Sequence, residues 1–258
     1  MDTNLNSGHI TVSTALTSLA EGFKLAFSKE CRPYVLIPIL INIILLSLAG
    51  WAAFRFITGY IFSWIDALPS FLAFLAYLLS FIAAALIIFL SCYFFSTVAT
   101  IIASPFYGLL ADRAEMAIHG QQSEDSGFAG VIKDIPRCLK RELRKQLWYL
   151  PLVLLCVVIM LIPVINVISP VAWFILNSFM GCLQYTDYAY DNHKVPFAQM
   201  KGDAMRHAFP SFAFGACIAV LLAVPVVNLF VPPAAVCAGT RYYVLLRNER
   251  AAAAVQEA

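Results

Sequence analysis

Ile162-Pro163-Val164-Ile165-Asn166-Val167-Ile168-Ser169-Pro170 is answered 62 residues later by Val224-Pro225-Val226-Val227-Asn228-Leu229-Phe230-Val231-Pro232. In both stretches Asn stands three residues after one Pro and four before the next, midway along an apolar run. Proline lacks an amide donor and clashes with the preceding turn, so two prolines bracketing an Asn predict a turn between helices. The spacing predicts two similar helical hairpins in the second half of the chain, as from a duplicated building block. Their ascending arms, Leu147 to Ile162 and Ser211 to Val224, hold 16 and 14 residues. At 1.5 Å per residue those arms are roughly 21 to 24 Å long, short of a ~30 Å hydrocarbon core. The second return arm meets Arg241 only eight positions after Pro233. Each hairpin is therefore expected to enter the bilayer partway and come back to the side it left.

Composition agrees with a bilayer environment. The 258 residues are 61% hydrophobic and 12% charged, with a mean hydropathy of +0.80, which excludes an ordinary soluble domain. A net charge of +2 is too small to suggest a nucleic-acid partner. Seven cysteines form no CxxC pair and have no His at zinc-ligand spacing, so neither a disulfide framework nor a metal is expected. Met1 to Ile10 is polar and lacks the features of a cleaved signal, which leaves targeting to the first membrane helix.

Upstream of the hairpins, Leu16, Leu19, Ala20, Phe23 and Phe27 recur at helical spacing opposite Thr17, Glu21 and Lys24, the pattern of an amphipathic interfacial helix. Pro33 to Phe54 then runs 22 residues without a charge, enough for a spanning helix that begins at Pro33. Trp51, Tyr60 and Trp64 edge the following link, as an aromatic belt does. Ala67 to Ala111 is uncharged for 45 residues, ~68 Å if wholly helical. One straight span cannot use it, so a second spanning helix is expected from Phe71 to about Thr97, with a break near Ser104-Pro105. Residues 119–132 read as a loop. Lys133 to Trp148 reads as a basic amphipathic helix with Pro136 in its first turn: Ile135, Leu139, Leu143 and Leu147 recur every four, among Arg137, Lys140, Arg141, Arg144 and Lys145. That basic face is either a solvated or lipid-phosphate-facing surface, or a funnel for a substrate anion.

The expected fold is an all-α integral membrane protein with two long spanning helices, two half-penetrating Pro-Asn-tipped hairpins and amphipathic interfacial helices. It reads as a single membrane domain, 1–258: polar tail 1–13, interfacial helix 14–27, spanning helices 33–111, basic helix 133–148, hairpin 147–186, polar connector 187–207, hairpin 208–246 and tail 247–258. With this layout Arg55 alone lies in the far-side link and the other 16 of 17 Lys and Arg on the near side, which places both termini in the cytoplasm.

Catalytic motifs are missing. No phosphate-binding glycine loop, HExxH or GxSxG occurs, and His9, His119, His193 and His207 are dispersed. Asp187, Asp191 and His193 are read as hydration and capping groups of a surface connector, so no enzyme activity and no cofactor are expected. Arg32, directly before Pro33, is the more informative position. Helix amides, the positive end of the dipole and a guanidinium there would all face an anion. A headgroup anchor is the competing reading of Arg32. Lys29 and Cys31 complete the candidate anion site, with Lys140, Arg141, Arg144, Asn42 and Arg241 as a candidate anion pathway. Asn166 and Asn228 are read as turn-closing residues.

Tyr93-Phe94-Phe95-Ser96-Thr97, Ser104-Pro105-Phe106 with Gly108-Leu109-Leu110-Ala111, and Asp191-Asn192-His193-Lys194-Val195-Pro196-Phe197 together resemble the CysZ family of bacterial inner-membrane sulfate permeases. Lys140-Arg141-Glu142 and Trp148-Tyr149-Leu150-Pro151 are similar too, so the likeness extends from about residue 20 to 245. The resemblance implies sulfate uptake for cysteine synthesis, by a channel or an ion-coupled permease, in a homo-oligomer whose subunits mix orientations. It also implies a sulfate site at an arginine pair opening the first membrane helix, which falls here on Arg32 and Pro33, so that one arginine is kept. The alternative from another class is a membrane scaffold or regulator that docks lipid or a cytoplasmic partner through its basic helix.

Overall fold

The computed structural model describes residues 10–56, 59, 78, 81, 82, 100–119 and 128–256. Among them there is helix and turn but no strand. The chain divides into two compact units, Met1–Ile39 with Ser104–Ala258, and Leu40–Ala103. The expected second span, Phe71 to Thr97, lies outside the described residues.

Helix α1 (Val12–Ala26) starts with a capping box in which Thr11 and Thr14 satisfy each other's backbone amides. Helix α2 covers Arg32–Phe56 with Pro38 inside it. Helix α3 comprises residues 100–119 and runs through Ser104-Pro105 without the expected break. A proline removes one amide only, and Ser104, Leu109, Leu110 and Ala111 are buried against neighbours that hold the helix together. Helix α4 (Phe128–Leu161) is longer than the basic segment alone predicts. It begins inside the expected loop and passes Pro136 and Pro151 without ending, so the basic helix and the first arm of the hairpin are one element.

A single 3-10 turn, Ile165–Ile168, leads into α5 (Ser169–Asn192). Helices α6 (Phe197–Arg206) and α7 (Ala208–Leu222) follow, bent by 102° where they meet. One helical turn, Pro225–Asn228, precedes α8 (Val231–Gln256). The repeated stretch reappears as repeated geometry. The Asn166 amide donates to the Ile162 carbonyl at 3.0 Å, and the Asn228 amide to the Val224 carbonyl at 2.8 Å. It is the main chain of each Asn that closes its turn. The tips still differ, because Val164 has φ 74°, a left-handed conformation that is costly for a β-branched residue.

Among the described residues, Arg32–Phe56, Pro136–Leu161 and Ile165–Asn192 are long and apolar enough to cross a membrane. Leu40, Ile44, Leu48, Trp51 and Phe54 of α2 are exposed, as are Leu150, Leu154, Leu155, Val158 and Leu161 of α4. Val164 at the first tip is 87% exposed. Continuous apolar surface on this scale is stable against lipid, not water. The protein is an all-α membrane protein.

Helices α1, α5, α7 and α8 form the core of the first unit. Their crossings rely on small residues that let backbones touch. A Cβ on Gly215 of α7 would lie 1.7 Å from the Ser178 carbonyl oxygen of α5. One on Gly239 of α8 would lie 2.3 Å from the Tyr185 oxygen, and one on Gly22 of α1 would lie 2.1 Å from the Ala238 Cα. The buried face of α1, with Ala15, Leu19, Gly22 and Ala26, is thus seated on protein.

Gly215→Val and Gly239→Val are expected to lower the melting temperature in detergent by roughly 5–10 °C, since overpacking costs about 1–3 kcal/mol or more. Gly202→Ala, with nothing within 4 Å of its added Cβ, should leave it unchanged or raise it. Equal melting of all three variants would contradict close backbone contact at these crossings.

Candidate functional site

Arg137, Arg141 and Lys145 succeed one another at four-residue intervals on α4, and Asp187 and Asp191 do so on α5. The two helices run antiparallel through the hairpin, so these rows meet. Arg137 Nη1 lies 2.5 Å from Asp191 Oδ1, and Arg141 holds Asp187 Oδ1 through Nε at 2.8 Å and Nη2 at 2.6 Å. Arg141 Nη1 also reaches the Val195 carbonyl at 2.7 Å. Lys145 Nζ, whose side chain is 2% exposed, sits 3.0 Å from Asp187 Oδ2 and 2.7 Å from Glu142 Oε2. Gln184 donates to Glu142 at 3.3 Å, and the Tyr188 ring lies 4.9 Å below Lys145 Nζ. Three cations thereby face three carboxylates, and the set is neutral. Buried charge survives only with such complete pairing.

Asp187 to Asn192 accordingly form the last turns of α5 rather than a hydrated connector. Asp187 and Asp191 are buried because their cations arrive from α4. His193 is also engaged: its Nε2 lies 2.8 Å from Glu115 Oε2, and Arg247 Nη1 holds the other Glu115 oxygen at 2.9 Å. Asn192 donates to the Gly108 carbonyl at 2.7 Å, and the His193 ring stacks on Tyr243 at 5.3 Å. The Asp191 to Phe197 stretch therefore joins α3, α4, α5 and α8. Further along, the Tyr190 hydroxyl donates to Asp203 at 2.8 Å, Arg250 pairs with Asp203 at 3.2 Å, and His207 lies 2.8 Å from Glu249.

The candidate anion residues are distributed unevenly over this framework. Arg32 and Lys29 are exposed at the start of α2. Cys31 between them is fully buried, with its thiol against Cys237 of α8. That inward anchor turns its two basic neighbours outward. Ser28 takes up the first free amides: the Cys31 amide donates to its hydroxyl at 3.3 Å and the Arg32 amide to its carbonyl at 3.0 Å. Exposed Glu30 stands beside Lys29. Hydrogen bonds from its own backbone amide and from Ser28 hold its carboxyl below the usual carboxylate range, so it is charged at neutral pH. Arg141 is committed to Asp187, and Arg241 forms an ion pair with Glu21 across α8 and α1. Lys140 and Arg144 face outward. The side chain of Asn42 lies outside the described residues.

A reading of the sequence alone misses Lys145, Glu142, Glu115 and Arg247 as members of the charged framework. The matching four-residue periods of 137-141-145 and 187-191 are the signal that finds the larger cluster. Among the described residues no group of His, Cys, Asp and Glu is arranged to hold a metal.

Lipid-facing helices fastened by paired internal charges define a multi-pass α-helical membrane protein. Residues 18–233 match the family described as "Sulfate transporter CysZ/Etoposide-induced protein 2.4", and the chain belongs to that family. A protein named Sulfate transporter CysZ from Vibrio parahaemolyticus serotype O3:K6 is 41% identical over 224 residues, 86% of this chain and 91% of that relative. Relatives with the same name are 40% identical: one from Vibrio cholerae serotype O1 over 87% of this chain and 90% of its own length, and one from Salmonella typhi over 87% and 89%.

Asp187→Ala would leave Lys145 and Arg141 buried without their shared carboxylate. A loss of about 3–5 kcal/mol in unfolding free energy is expected. Adding Lys145→Met should recover part of it, measured by denaturant titration in detergent. A single variant as stable as the parent would show that the ladder does not hold α4 to α5.

Proposed function

We propose that the protein carries sulfate across the bacterial inner membrane and so supplies sulfur for cysteine synthesis. The observation that carries this reading is its near full-length relationship to proteins named sulfate transporters, joined to a fold whose surface fits a bilayer. Sulfate is a doubly charged oxyanion whose dehydration must be offset by cations and oriented dipoles. Arg32, supported by Lys29, supplies that charge at the start of α2, and both are exposed. Cys31 contributes by anchoring the turn from inside. Arg141 and Arg241 would have to exchange carboxylate partners before joining a pathway, so the proposal rests on Arg32.

The protein works as a homo-oligomer. An arm such as α7, with 15 residues, is ~22 Å long, less than the hydrocarbon thickness. A hairpin with so short an arm lines only part of a route, although the arms of the first hairpin are long enough to cross, and further copies supply the remainder. The termini are cytoplasmic, on the side of the basic residues.

Purified protein in liposomes should admit radiolabelled sulfate faster than protein-free vesicles, and equal rates would refute transport. Running the assay with and without a proton gradient separates a channel from a coupled permease.

Within that reading, Arg32→Ala should weaken sulfate binding at least about tenfold, the loss of one charge-assisted contact. Glu30→Gln should strengthen it by roughly two- to fivefold by removing an exposed like charge. Because the Glu30 carboxyl titrates below its ordinary range, its repulsion should be constant across neutral pH and fade only in acid. Calorimetry on both variants checks the pair, and unchanged affinity in Arg32→Ala removes Arg32 from the site.

A further inference from the structure

The basic helix carries two classes of cation. Arg137, Arg141 and Lys145 are spent on carboxylates inside the protein. Lys140 and Arg144 are exposed, one turn apart, and among the described residues no carboxylate pairs with either. The same face continues one turn on to Trp148, where Lys201 Nζ of α6 lies 4.5 Å over the indole ring. Alongside runs a row of exposed leucines, Leu139, Leu143, Leu147, Leu150 and Leu154. Read along α4, cations come first, then an aromatic ring with a lysine on it, then the uninterrupted apolar surface of the arm. That order matches the layers of a membrane from phosphate to acyl chain.

We propose that Lys140, Arg144 and Lys201 form a binding site for one anionic phospholipid, whose phosphate sits between the cations and whose chains lie along the leucine row. Charge complementarity selects the lipid: the cations attract a phosphate monoanion, and the exposed leucines beside them offer its acyl chains an apolar surface that a free hydrated anion would not use. The site is separate from Arg32 and does not depend on sulfate transport.

Native mass spectrometry of the full-length protein in neutral detergent, titrated with phosphatidylglycerol or phosphatidylcholine, tests this. Phosphatidylglycerol should be retained more tightly. Lys140→Gln with Arg144→Gln should weaken it roughly 25-fold, the product of about fivefold per interfacial cation. Lys201→Gln should weaken it about fivefold, and the charge-keeping pair Lys140→Arg with Arg144→Lys should retain binding. If the double Gln variant fails to fold, the single Lys140→Gln is read instead, with the fivefold loss expected. Equal retention of the two lipids, or undiminished phosphatidylglycerol binding in the Gln variants, overturns the proposal. Displacement of phosphatidylglycerol by millimolar sodium sulfate would also overturn it and make the face a gathering surface for the transported anion.

Discussion

The fold depends on one antiparallel register, the meeting of Arg137, Arg141 and Lys145 with Asp187 and Asp191 across α4 and α5. None of these charges would tolerate its depth alone. Together with Glu142 they cancel, and the base of the first hairpin becomes a neutral, hydrogen-bonded block. From that block the Asp191 to Phe197 stretch reaches outward, with Asn192 on α3 and His193 between Glu115 and Tyr243. Shifting the register by one residue would turn every charge of one row away from the other, so α3, α5 and α8 inherit their places from a polar constraint as much as from apolar burial.

Close backbone contact supplies the complementary constraint. Where lipid surrounds a bundle, apolar side chains gain little by leaving it, and packing falls to residues that bring helices near. Gly22, Gly215 and Gly239 do this at three crossings. Charge fixes the register of α4 on α5, while small residues fix the separation of α1, α5, α7 and α8. The basic helix is divided by the same logic: its inward cations are structural, and its outward cations remain available for chemistry.

Much of this was legible from local pattern. The Pro-Asn repeat announced two hairpins, and their turns close through equivalent amides of Asn166 and Asn228. Apolar run length announced α2. Two features escaped local reading because they depend on partners distant in sequence. Asp187 and Asp191 looked like surface groups, since their cations lie about fifty residues upstream. Pro105 and Pro136 mark helix boundaries by local pattern, yet their helices continue where packing and bilayer offer no better arrangement for the freed carbonyls. For the candidate site, local pattern points to Arg32 and Lys29, and both are exposed at the start of α2. It could not show that Cys31 turns inward, nor that Arg141 and Arg241 already hold carboxylates.

The charge ladder also carries an order in time. Synthesis delivers Arg141 to the membrane 46 residues before Asp187, and Arg137 54 residues before Asp191. During that interval the cations are unpaired, and unpaired cations resist crossing. Unpaired cations would hold the basic end of the first arm back from crossing until the return arm supplies the matching carboxylates. Neutralisation then closes the hairpin. In the finished protein Arg141 and Lys145 are taken up in their ion pairs, and of the basic helix Lys140 and Arg144 still face outward.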